Sequence, residues 1–113
     1  MPKSYSAEPW DAEAVEGLLH ENGLTHLAVR KRGAVLTIES GPPKDRFPRA
    51  RLRRVSVHLW QLEMPTHSGR WERTPYRVLR DEIVQILMAD FGWTLADVLA
   101  EPENPGGTFD PEY

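Results

Sequence analysis

Cysteine is absent from this chain of 113 residues. Its absence removes disulfides, thiolate nucleophiles and every cysteine-ligated metal site, and it suits a reducing cytoplasm. No apolar run approaches the roughly 18 residues a membrane helix needs, and no signal-peptide core follows Met1. Contacts with a membrane are therefore not expected. Lysine is scarce too: Lys3, Lys31 and Lys44 are the only ones, so arginine supplies the other 11 of 14 basic side chains. Phosphate-loop and dinucleotide fingerprints are missing, as is a nucleophile elbow around Ser4, Ser6, Ser40, Ser56 or Ser68.

What is present is the composition of one globular domain, 40% hydrophobic and 27% charged. The net charge of −3 hides an uneven distribution. Residues 44 to 54 hold Lys44, Arg46, Arg49, Arg51, Arg53 and Arg54 against Asp45 alone, while the segments on either side are acidic.

Elements follow from periodicity and punctuation. Residues 1 to 9, with Pro2 and Pro9 and no pattern, read as a loose arm, and residues 10 to 100 as a single domain. Asp11 is placed as the N-cap of a first helix whose inner face is Val15, Leu18 and Leu19, stopped at Asn22-Gly23. Leu27 and Val29, then Ala34, Leu36 and Ile38, alternate as two strands around a Lys31-Arg32-Gly33 turn. Prolines 42, 43 and 48 assign residues 40 to 50 to a loop, in which Phe47 is expected to fold back on the sheet as an anchor.

Residues 52 to 64 read as one long strand whose apolar side switches from Val55, Val57 and Leu59 to Trp60, Leu62 and Met64. A bulge near His58 to Trp60 would account for the switch. Thr66 to Gly69 is a turn, and Arg70 to Arg73 a fourth strand ended by Pro75. Leu79, Ile83, Ile86, Leu87 and Phe91 mark a helix over 78 to 91, stopped by Gly92, and Thr94 with Asp97 starts a last short helix. Residues 101 to 113 form an acidic tail rich in proline and glycine. The expected class is α+β, in the order α-β-β-β-β-α-α, with an antiparallel sheet of about four strands and helices on one face.

Candidate chemistry is thin. His20, His26, His58 and His67 are the groups suited to acid–base or metal work, but none stands in a motif spacing, so no catalytic, metal or cofactor residue is assigned. The leading expectation is a non-enzymatic interaction domain, working through protein contacts and forming a homodimer, with Trp60 and Trp71 as an aromatic patch for the partner. The alternative is a nucleic-acid-associated protein gripping phosphate with Arg46, Arg49, Arg51, Arg53 and Arg54. Third comes a small enzyme with a histidine-based site.

Overall fold

The computed structural model describes residues 5–66 and 68–95. Helix α1 (Pro9–Glu21) is followed by strands β1 (Ala28–Arg32), β2 (Val35–Ser40), β3 (Phe47–Arg54), β4 (Trp60–Pro65) and β5 (Trp71–Val78), then α2 (Arg80–Asp90) and α3 (Gly92–Leu95). All five strands pair antiparallel in sequence order. The class is α+β as expected, with five strands rather than about four. Among the described residues no helix is long and apolar enough to cross a membrane.

Helix α1 begins three residues before the position its acids suggest. Pro9 takes the first turn, where a missing N–H costs nothing. Asp11 sits three residues past the true cap, Glu8, and accepts the Glu8 backbone N–H at 2.8 Å. Gly23, at φ 87°, ends the helix as foreseen. The arm before α1 is tied down at its described end. Ala7 is buried and donates its N–H to Gly33 O at 2.8 Å, and Ser6 O accepts from Arg54.

Four strand boundaries differ from the sequence reading, each for a definable reason. Arg32 pairs with Val35, so the first turn is Gly33-Ala34 alone and Lys31 and Arg32 belong to β1. The loop read as residues 40 to 50 closes by residue 46, because Pro48 is admitted to β3 at a register shift opposite Ile38 and Glu39. Glu39 pairs with Pro48 and Ile38 with Ala50, so Arg49 is the residue left outside the ladder, and a strand tolerates proline beside such a bulge.

The largest correction concerns residues 52 to 64, which are two strands. Arg54 pairs with Trp60, and Val55 N–H donates to Leu59 O at 2.9 Å across a five-residue loop. The change of apolar side is thus a chain reversal rather than a bulge. Beyond it, β5 runs through Pro75 instead of ending there. The ladder skips at Leu62, whose carbonyl accepts the Thr74 hydroxyl at 3.0 Å, while the Gln61 amide donates to Thr74 O and Tyr76 O. Side chains thus replace the ladder bonds lost at the proline.

One face of the sheet carries the core. Leu36, Ile38, Ala50, Leu52, Trp60, Leu62 and Met64 pack against Val15 and Leu19 of α1, Ile83, Val84 and Leu87 of α2, and Leu95. The Asp11–Arg80 pair, at 2.7 Å, joins the two helices. Leu79, read as a core position, is exposed and precedes α2. Helix α2 ends at Asp90 with Phe91 as its cap, and Gly92, read as its stop, opens α3. Thr94 turns its hydroxyl inward to Arg49 O at 3.0 Å, instead of capping a new helix. Asp97, the remainder of the expected last helix, the tail and His67 lie outside the described residues.

Candidate binding surface

The face of the sheet turned away from the helices is built by strict alternation. Register sets Arg30, Thr37, Arg51, Glu63 and Arg73 side by side in one row, and Arg32, Val35, Arg53, Gln61 and Arg77 in the next. With Glu39, this face carries six arginines and two glutamates on a chain whose net charge is −3.

Its centre is Glu63, only 2% exposed. Arg51 Nε donates to Oε1 at 2.5 Å and Arg53 Nε to Oε2 at 3.1 Å, with Arg73 Nε at 3.9 Å. Burial pushes the Glu63 carboxyl up, but the hydrogen bonds and charges of Arg51 and Arg53 outweigh it and hold the group below its ordinary range. Glu39 binds Arg30 at 2.7 Å in the same way near the β1 edge. Arg51 also lies over the Trp71 ring, 4.4 Å from its centroid.

The arginines of residues 44 to 54 do not form one strip. Arg51 and Arg53 point to the uncovered face and bind Glu63. Arg49 is buried beneath α3, donating to Ser40 Oγ at 3.0 Å and Thr94 O at 2.8 Å. Arg54 donates to Val57 O and Ser6 O and lies over Trp60, while Arg46 donates to Gly41 O. Each guanidinium has a partner within the chain.

At the lower edge of the sheet, where α3 crosses β3, Phe47, Pro48, Pro65, Trp71 and Trp93 line a groove of about 420 Å³. It continues past Trp71 and Trp93 towards Arg70, Glu72 and Arg73. Phe47 is 60% exposed and Trp93 73%. The expectation that Phe47 anchors its loop is therefore overturned: the ring lies beside the Arg49 guanidinium, 5.2 Å from its centroid, and faces the groove. Phe47→Ala is expected to change stability by no more than about 0.5 kcal/mol in urea denaturation.

Of the aromatic pair read from the sequence, Trp71 reaches this surface. Trp60 does not, for it is 3% exposed in the core and pairs with Val78, whereas Trp71 pairs with Pro65. Phe47 and Trp93 carry no periodic signal that marks them as surface rings: Phe47 stands alone in a proline-rich segment, where the sequence reading folds it back on the sheet, and Trp93 follows the helix stop at Gly92. The described histidines lie apart. His20 Nε2 contacts Leu27 O and His26 Nε2 contacts Leu95 O, both at 2.7 Å, and His58 is exposed in the β3–β4 loop. Among the described residues no three His, Asp or Glu side chains are placed to hold a metal ion. With this geometry in hand, comparison with protein-family models, curated proteins and solved structures finds no match for the chain.

Proposed function

We propose that this protein acts by binding rather than by catalysis, and that it takes an extended acidic segment of another protein across the arginine face and the aromatic groove. The observation that carries the reading is the position of Trp71. Its ring lies under the Arg51 guanidinium and also lines the groove. An apolar or proline side chain in the groove and a carboxylate on the face would thus meet one continuous surface. Ring-lined grooves suit proline and aromatic side chains, and guanidinium forks suit carboxylates.

Two features favour an acidic protein segment over nucleic acid. Phosphate binding at the level of a dedicated binder needs several cations free to release counterions. Arg46, Arg51, Arg53 and Arg54 are instead committed to Glu63 or to backbone carbonyls, which leaves the exposed Arg73, with Arg32 and Arg77 in the neighbouring row, for the few carboxylates of a short acidic segment. The overall negative charge also opposes a long polyanion. A homodimer would need a different surface, because a two-fold axis through this face would set arginine against arginine. Val57, Leu59 and Leu79, exposed at the opposite end of the sheet, are where such a contact fits, and light scattering tests it. A reducing cytoplasm is the compartment this reading takes.

The test is a titration followed by tryptophan fluorescence. The probes are a synthetic 12-residue peptide of Asp, Glu, Pro and Phe, its lysine counterpart, and a 12-nucleotide oligothymidine. The acidic peptide should bind, and Trp71→Ala and Arg73→Glu should each weaken it at least about tenfold, or about 1.4 kcal/mol. Oligothymidine binding that falls steeply with salt, with no response to the peptide, would replace this reading by the nucleic-acid one.

A further inference from the structure

We propose that residues 101 to 113 of this chain are the resident occupant of the groove, a ligand in cis that any partner must displace. The inference rests on the binding reading above and concerns how that same surface is regulated.

Three observations lead to it. First, the chain leaves the described residues at the groove wall. Trp93 and Thr94 of α3 line the groove, and Leu95, the next residue and the last one described, is buried in the core with its carbonyl 2.7 Å from His26 Nε2. Second, the composition of residues 101 to 113 complements the groove. Glu101, Glu103, Asp110 and Glu112 are there without a basic residue, interspersed with Pro102, Pro105 and Pro111 and followed by Phe109 and Tyr113 as apolar side chains. The groove and its continuation offer Arg70 and Arg73 among aromatic rings and prolines, with Glu72 as the acid among the lining residues. Third, the reach is sufficient. The 14 residues from Leu95 to Phe109 span up to about 46 Å when extended, which leaves slack for the chain to turn back at Gly106-Gly107.

Tethering makes modest complementarity enough. A short linker raises the local concentration of the segment to the millimolar range, so a segment with weak intrinsic affinity still fills the site. Its prolines lower the entropy lost on ordering. Occupancy in cis then weakens the apparent affinity for a partner by the fraction of the time the groove is filled.

The absence of cysteine makes a single label clean. Thr108→Cys in the full chain carries one nitroxide, and the indole N–H signals of the four tryptophans report on it by NMR. The expected result is loss of the Trp71 signal, with Trp10 and Trp60, at the far end and in the core, retained. Neutralising the tail (Glu101→Gln, Glu103→Gln, Asp110→Asn, Glu112→Gln) should restore the Trp71 signal and tighten the acidic 12-residue peptide at least about threefold. A Trp71 signal no weaker than that of Trp10 overturns the proposal. So does broadening that arises only between labelled and unlabelled copies in a mixture, because the segment would then act in trans. If neither the full chain nor the neutralised variant binds the peptide, the binding reading itself fails, an outcome separate from the tail's position.

Discussion

Glu63→Gln is expected to destabilise the domain by about 1–3 kcal/mol, measured by urea denaturation at pH 7. Among the described residues Glu63 is the one carboxylate that meets Arg51, Arg53 and Arg73, and it is nearly inaccessible to water. Glutamine keeps the shape and one acceptor, but it turns an amide N–H₂ towards a guanidinium and removes the charge that offsets Arg51 and Arg53. Loss of one partner from a fully buried pair commonly costs about 3–5 kcal/mol. The expected value is lower because the arginines retain access to solvent, Arg73 most of all at 75%. Arg73→Gln, which removes that exposed and distant member, should change stability by no more than about 0.5 kcal/mol.

The same carboxylate gives a pH dependence of definite sign. Its pKa in the folded protein lies below the ordinary value of 4.5. The stabilisation it provides is thus fully present above that value and is lost as pH falls through the lower, folded pKa. The gap between the parent protein and Glu63→Gln should be widest at neutral pH and close progressively below pH 4.5. A gap that stays constant to pH 3 would mean that the loss comes from packing rather than charge.

How much of this could be read from the sequence turns on one missed turn. The α1 stop at Gly23 and the turn at Gly69 were visible because positive φ calls for glycine and the sequence supplies it. The β3–β4 loop has no such punctuation. Ser56-Val57-His58 contains neither glycine nor proline, and the loop is held instead by Ser56 Oγ accepting the Leu59 N–H and by Arg54 reaching Val57 O. A reversal without turn residues looks, in one dimension, like a strand that changes its buried side. That error hid the ion-pair cluster as well. Once residues 52 to 64 are folded into a hairpin, register alone brings Arg51 opposite Glu63. The groove was harder to see, because Phe47, Trp71 and Trp93 come from three separate elements and meet only through the sheet order and the path of α3.

Trp60 and Trp71, equal in the sequence reading, should separate sharply when each is replaced by alanine. Trp60→Ala is expected to cost about 3–5 kcal/mol, because the ring is buried between the sheet and the helices and its removal leaves a cavity the surrounding side chains only partly fill. That is a large share of the roughly 5–15 kcal/mol that holds a domain of this size together. Trp60→Phe should recover most of the loss, since it restores an apolar ring and half the volume question disappears. Trp71→Ala removes a half-exposed ring whose main contact is the Arg51 guanidinium, a stacking worth about 0.5–1 kcal/mol, so it should cost about 1 kcal/mol or less. Binding of the acidic peptide should show the reverse order, weakened at least about tenfold in Trp71→Ala and unchanged in Trp60→Phe. Equal stability losses in the two alanine variants would make Trp71 a structural ring. The assignment of the surface would then depend on Arg73→Glu, which alters charge on the exposed face without touching the core.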